Sequence, residues 1–429
     1  MTLSEARQTF NDVDRLAAEG VHLELGGHRL ETFASADLIV ASPGVPLEQP
    51  VFTAARARGT EIIGELEFAW RFLRGRVIAI TGTKGKSTTT TLIGRMLTAA
   101  GRTALVGGNI GTPLSAQVDQ STSETVHVVE TSSFQLETTT TFHPWIAVWL
   151  NFAADHLDRH PSVDAYAAAK ARIFANQRES DWAVLNADDP EVLRRARGSA
   201  PRQVLFSLEG FAGDGFVVDG DAIVRRTGTD VERLIPIVAV ELTGRHMLNN
   251  VLAAAAATHI AGVPPHAMVD ALRGFHGLPH VMEPAGHIGG VRFVNDSKAT
   301  NVEAARRSIE SFARGVVAIV GGRYKGGDFG DLREALSSRG RAVIAIGEAA
   351  GRVRQALEGT VPVVQAASMA EAVAHGYAAA RPDGVVLLAP ACSSFDWFRD
   401  YAERGEVFKE EVRRLVERSG AKGAKEHEQ

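Results

Sequence analysis

Short apolar runs separated by amphipathic stretches constrain this chain more than any other feature of it. DLIVAS at 37–42, RVIAITG at 76–82, HVVET at 127–131, IAVWLNF at 146–152, WAVLNA at 182–187, GVVAIVGG at 315–322, AVIAIG at 342–347 and GVVLLAP at 384–390 are apolar on both faces. Such strands, each followed by a helical stretch, specify parallel sheets covered on both sides, an α/β fold. Residues 201–245, with FVVDG and AIVRR between Gly and Asp turns, read instead as antiparallel hairpins at the edge of a central domain. No fixed short period recurs, which excludes a solenoid.

The 429 residues exceed what one core accommodates at roughly 100–200 residues per domain. Punctuation places boundaries near Gly75 and at Gly277-Leu278-Pro279-His280. Three domains follow: a small N-terminal α/β domain over 1–75, a central domain with a mostly parallel sheet and helices on both faces over 76–280, and a Rossmann-like C-terminal domain over 281–429. The net charge of −5 gives no electrostatic case for nucleic acid or an anionic membrane. Cys392 is the only cysteine, which excludes an internal disulfide and fits a reducing compartment, so a cytoplasmic location is expected. The first residues lack the basic and apolar regions of a signal peptide, and no stretch approaches the roughly 18 apolar residues of a membrane helix. The run Ala253–Ala257 reads as a tightly packed helix, and the polar tail from Arg418 as frayed.

The strongest local motif is Gly82-Thr83-Lys84-Gly85-Lys86-Ser87-Thr88, between the strand 77–81 and a helix through 89–97. Glycines let the backbone wrap a phosphate, and the amides of a helix N-terminus point at the anion. Lys86 adds charge at the terminal phosphates, and the Ser87 hydroxyl suits a Mg²⁺ ligand. Only two residues separate Gly82 from Gly85, a tighter spacing than the general phosphate-loop pattern.

Glu130 ends the next strand, where a carboxylate beside a phosphate loop is placed to hold a metal; the plainer alternative is a surface glutamate. His156, in Asp155-His156-Leu157-Asp158-Arg159-His160, suits a metal or a transferring phosphoryl group, or is a turn histidine satisfied by backbone. His160 reads as structural. Lys170 lies in the helical stretch Tyr166–Phe174 and, by pattern alone, is a solvated lysine.

GTKGKSTTT, GGNIGTPL (107–114), ETSSFQLE (130–137), DHLDRH (155–160), AAKARIF (168–174), NDSKATN (295–301), GGRYKGGDF (321–329) and LAPACSSFDWFRDYAERGEVF (388–408) together resemble, in order, the Mur ligases, from about Asp37 to Phe408. SSFQLE, NDSKATN and the final PACSSFDWFRDYAERGEVF stretch resemble the D-glutamate-adding branch. The resemblance implies ATP-dependent joining of D-glutamate to UDP-N-acetylmuramoyl-L-alanine through an acyl phosphate, in peptidoglycan precursor synthesis, by a monomer that closes its C-terminal domain over ATP. It implies that Gly82, Thr83, Lys84, Gly85, Lys86, Ser87, Thr88, Asn250, Asp296 and Lys298 contact ATP. Ser87, Glu130, His156 and Lys170, the last as a carbamate, resemble Mg²⁺ ligands, with Lys86, His156 and Lys170 catalytic. Ser42, Gly44, Asn109 and Ser132 resemble contacts to the sugar nucleotide. Thr300, Lys325, Ser394 and Tyr401 match positions that grip D-glutamate. By chemistry alone Lys325 suits a dicarboxylate or is a solvated turn residue, and Cys392 is a small buried residue rather than a nucleophile.

The chain departs from the family pattern in four places. Met1–Glu5 resembles the family's second strand, so the N-terminal domain is expected to lack its first βα unit, which bears on uridine recognition. Lys84 and Met247 stand where relatives carry Asn, and Val281 stands where they carry Arg. These leave open a nucleotide-binding homologue with impaired catalysis, beside a family ligase for another amino acid.

Overall fold

The computed structural model describes residues 1–426 except 11, 44, 156–158, 243 and 325, and excludes the side chains of 303 and 419–426. The chain divides into two compact units, Met1–Phe275 and His276–Gln429.

The first unit begins with two small parallel pairs. Strand β1 (Thr2–Glu5) pairs with β2 (His22–Leu25), and β3 (Leu38–Ala41) with β4 (Glu61–Gly64). The strands that follow are β5 (Arg76–Thr81), β6 (Ala104–Gly108), β7 (Val126–Glu130), β8 (Ile146–Trp149), β9 (Trp182–Asn186), β10 (Arg202–Ser207), β11 (Gly215–Asp219), β12 (Ala222–Thr227) and β13 (Asp230–Pro236). They form one sheet in the order β13-β12-β11-β10-β9-β8-β5-β7-β6. From β10 to β6 every pairing is parallel, and β7 and β8 are buried along their whole length, which is why they read as unbroken apolar runs.

Only part of the expected antiparallel edge is antiparallel. Strands β11, β12 and β13 form a meander, but β10 pairs parallel with β9. The reason is the intervening helix Pro190–Ala196, started by Pro190 and capped by Asp189, whose carboxylate accepts from the amides of Glu191 and Val192. It carries the chain back for a parallel crossover rather than a hairpin.

The helix Arg245–Ile260 packs on the helix Lys86–Ala99, and Ala253–Ala257 are fully buried, as their small side chains allow. Glu67, on the helix Glu65–Trp70, is also fully buried. It accepts from the amides of Thr140, Thr141 and Phe142 and from the hydroxyls of Thr140 and Thr141. These bonds tie that helix to the turn before β8.

The second unit contains β14 (Glu283–Ile288), β15 (Val291–Asn295), β16 (Val316–Gly321), β17 (Gly340–Ile346), β18 (Val363–Gln365) and β19 (Val385–Leu388), in the order β14-β15-β19-β16-β17-β18. Only β14 is antiparallel to its neighbour. Val316, Val343, Leu387 and Leu336 pack in one apolar layer of this unit, and Phe293, Ile319, Val386 and Phe408 in another. Among the described residues no helix is long and apolar enough to cross a membrane.

Candidate active site

In the first unit, the expected residues gather where adjacent parallel strands β8, β5, β7 and β6 end. The phosphate loop follows β5, Asn109 follows β6 and Glu130 closes β7. Carboxyl ends of parallel strands are the place where α/β sheets bind ligands. Gly85 has φ +83° and precedes the helix Lys86–Ala99. A Cβ there would lie 2.2 Å from Asn250 Oδ1, so both conformation and space require glycine, and Asn250 is brought against the loop.

Glu130 is only 3% exposed. Ser87 Oγ donates to its Oε2 at 2.6 Å and Asn109 Nδ2 to its Oε1 at 2.8 Å. Lys86 Nζ donates to the carbonyls of Gly82 at 3.0 Å and Thr83 at 3.2 Å. Lys170 is not solvated, as its helical pattern alone suggests, but 1% exposed. Its Nζ donates to the same Gly82 carbonyl at 2.8 Å and lies 4.7 Å from the centre of the Tyr166 ring. Burial, and then the charge of Lys86, push its amine well below the usual lysine range, against the opposing pull of Asp155 and Glu130.

Thr83 and Thr88 are buried and Lys84 is exposed. Ser132 caps the helix Ser133–Glu137 in a reciprocal box with Gln135, so its hydroxyl has a structural task. His160 is buried, bonded through Nε2 to Ser133 Oγ at 2.9 Å and stacked on Phe134 at 5.1 Å. Ser42 is exposed just past β3. Gly44, His156 and Lys325 lie outside the described residues. Among the described residues no cluster of three or more His, Cys, Asp or Glu side chains is placed to hold a metal. What they offer is the hard oxygen pair of Ser87 and Glu130, a donor set that suits Mg²⁺.

Asn151 and Tyr166 carry weight that motif reading did not assign. Asn151 Oδ1 accepts from the amides of Thr83 and Lys84, and its Nδ2 donates to the Lys84 carbonyl. Its position at the end of an apolar strand was the available signal.

In the second unit the same rule holds. Asp296, Lys298 and Thr300 follow β15, and Ser394 follows the neighbouring β19. Asp296 is buried; its Oδ1 accepts from the Met282 amide at 3.1 Å and its Oδ2 from the Ser308 hydroxyl. The two loops are joined directly by Ala391 N donating to Ala299 O at 2.9 Å. The buried Arg404 spans them too, with Nε on Ser297 Oγ at 2.9 Å, Nη2 on Ser297 O at 2.8 Å and Nη1 on Cys392 O at 3.1 Å. Burial lowers its guanidinium to about 10. Tyr401 accepts from Ser297 Oγ through its backbone carbonyl, leaving its half-exposed ring 6.0 Å from that of His280. Thr300, Ser394 and Tyr401 therefore belong to one connected set of loops.

Three family models match the chain: the Mur ligase MurD-like N-terminal domain over residues 1–64, the Mur ligase middle domain over 80–258, and the Mur ligase glutamate ligase domain over 282–392. Among curated relatives, the UDP-N-acetylmuramoylalanine–D-glutamate ligase of Acidobacterium capsulatum is 46% identical, over 96% of this chain and 90% of the relative. The protein of the same name from Pelotomaculum thermopropionicum is 42% identical, over 94% of this chain and 89% of the relative. The fold matches the UDP-N-acetylmuramate-alanine ligase of Thermotoga maritima with a TM-score of 0.57 at 17% identity, covering 96% and 93% of the two chains. It matches a pseudomurein peptide ligase type C from Methanothermus fervidus with a TM-score of 0.58 at 19% identity, covering 97% and 94%. With its ordered motifs, all three family domains and near-complete coverage of such relatives, the chain belongs to the Mur ligase family, on its MurD-like branch.

Proposed function

We propose that this protein joins D-glutamate to UDP-N-acetylmuramoyl-L-alanine at the expense of ATP, releasing ADP and phosphate, as a cytoplasmic monomer of peptidoglycan precursor synthesis. The observation that carries the chemistry is the convergence of Lys86, Lys170 and the Ser87–Glu130 pair on one phosphate loop. The printed names of the curated relatives support the substrates.

Lys86 exchanges its two loop carbonyls for ATP phosphates, and the amides of Gly85 to Ser87 at the helix N-terminus donate to the anion. Asn109 fixes the Glu130 carboxylate through Oε1 and leaves Oε2 with Ser87. Ser87 and Glu130 would hold one Mg²⁺, and His156 with Lys170 as a carbamate a second. A metal held there would supply positive charge to offset the negative charge developing on the transferring phosphoryl group. Burial pushes the Lys170 amine well below the usual lysine range, toward the uncharged form that adds carbon dioxide, which supports the carbamate. Asp296, Lys298 and Asn250 contact the nucleotide, and Thr300, Lys325, Ser394 and Tyr401 the amino acid. The functional domains run over 1–75, 76–280 and 281–429.

A second reading, a nucleotide-binding relative without turnover, draws on Met247 and Val281. Phosphate release is measured with ATP, magnesium, bicarbonate and the UDP substrate, with and without D-glutamate. Release that depends on D-glutamate supports ligation. Background release under all conditions favours the second reading, and preference for another amino acid overturns the substrate assignment.

A further inference from the structure

We propose that Asn151 is a positioning residue of the phosphate loop. It fixes the backbone of Thr83 and Lys84 so that the amides of Gly85 to Ser87 and the Lys86 ammonium are the groups left to meet the phosphates. This rests on the assignment of the loop to ATP.

An asparagine amide has one oxygen with two acceptor sites and one nitrogen with two donors. Asn151 directs three of these four at two consecutive loop residues. Its Oδ1 accepts from Thr83 N at 3.1 Å and from Lys84 N at 2.9 Å, and its Nδ2 donates to Lys84 O at 3.0 Å. The opposite orientation of the amide would face two N–H donors with a third and lose all three bonds, so the network itself fixes the rotamer.

The clamp is itself held. Leu150 N donates to Thr81 O at 3.0 Å, and Asn186 Nδ2 donates to Leu150 O at 2.8 Å. Phe152 N donates to Asp189 Oδ2 at 2.6 Å. Thr83 Oγ1 accepts from Ala153 N at 3.0 Å and donates to Ala153 O at 3.1 Å, closing the ladder from the loop side. Asn151 therefore transmits the position of β8 to the loop after β5, its sheet neighbour.

Two consequences follow for an anion. The amides of Thr83 and Lys84 are already committed, so phosphate recognition falls to the amides that open the helix and to Lys86. The Lys84 carbonyl, which would repel phosphate if it turned inward, is bonded to Asn151.

The test uses the full-length protein with Asn151→Ala and Asn151→Asp. Binding of MgATP is measured by calorimetry, the KM values for ATP and D-glutamate by phosphate release, and the exchange of the 83 and 84 amides by hydrogen-exchange mass spectrometry. Asn151→Ala is expected to weaken ATP binding by roughly tenfold or more, the scale of one to two net hydrogen bonds. The KM for D-glutamate stays within about twofold, and the Lys84 amide exchanges faster, whereas Thr83 N keeps its 3.1 Å bond to the backbone carbonyl of residue 151. Asn151→Asp keeps the size and both acceptor bonds, so it folds with near-native stability and retains slow exchange of the two amides. It still binds ATP more weakly, because it loses the bond to Lys84 O and adds negative charge. If the alanine variant does not fold, the aspartate variant carries the test alone. A folded variant that binds ATP within about twofold of the parent overturns the proposal, as does a parallel rise in both KM values. A parent protein that does not bind ATP overturns the nucleotide assignment itself, a result distinct from an insensitive variant.

Discussion

His127 makes the stability of the first unit depend on mild acid. It is fully buried on β7, with Nε2 2.8 Å from Ser121 Oγ and Nδ1 3.0 Å from Gln117 Oε1. The amide oxygen can only accept, so Nδ1 carries the proton and Nε2 accepts from the serine hydroxyl. Ser121 Oγ in turn accepts from the amides of Arg74 and Gly75, which lead into β5. Burial lowers the folded pKa of His127 from the ordinary histidine value of 6.5 to about 4. The unfolded chain therefore binds the extra proton first as pH falls. No stability is lost well above about pH 6.5; the loss grows as pH falls below that value and reaches about 3 kcal/mol near pH 4, at 1.36 kcal/mol per unit. The assay is urea unfolding followed by tryptophan fluorescence at pH 7.5, 5.5 and 4.5, comparing the parent with His127→Gln, which keeps a polar atom near Nε2 and does not titrate. The parent should lose more stability than the variant across this range. Equal losses in the two proteins would refute the reasoning.

Lys170→Ala should abolish turnover, and short carboxylic acids should restore part of it by replacing the carbamate; a lack of rescue in the phosphate-release assay would count against carbamoylation. Glu67→Gln should destabilise the first unit by about 1–3 kcal/mol, because an amide group would face buried donors. Burial raises the Glu67 carboxyl, but the hydroxyl and amide donors of Thr140 and Thr141 outweigh it and hold it below the usual range. The urea midpoint measures this loss, and a midpoint equal to the parent's contradicts it. Gly85→Ala should lower ATP affinity sharply, since its Cβ would meet Asn250 Oδ1 in a backbone conformation that favours glycine; unchanged binding by calorimetry would show that the loop yields.

The strands and the phosphate loop were legible because their signals are local: unbroken apolar runs, and a glycine-lysine-serine turn at a helix start. The place of Glu130 at a strand end beside that loop was legible, and the alternative of a surface glutamate falls to its burial against Ser87 and Asn109. What escaped depends on contacts distant in sequence. The parallel pairing of β10 is decided by the Pro190–Ala196 crossover, and hairpin-like turns downstream hid it. On pattern alone Lys170 belongs to solvent; its burial depends on the Gly82 carbonyl, 88 positions away along the chain. Arg404 looks like one more cation on the helix Tyr401–Glu426, and only the meeting of the loops after β15 and β19 reveals its burial. For Asn151 the strand order was the missing fact, since β8 lies beside β5 despite the two strands that separate them in sequence.

The helix that opens at Lys86 packs against a helix rich in methyl groups. Five consecutive alanines admit no water, and the helix that contains them backs the one that starts at the phosphate loop. Close-packed interiors transmit displacement rather than absorb it. Even a conservative enlargement at this seam, such as Ala254→Val, therefore acts as a shim under the helix that opens at Lys86. Damage of that kind registers as a drifting nucleotide long before it registers as a protein that fails to fold.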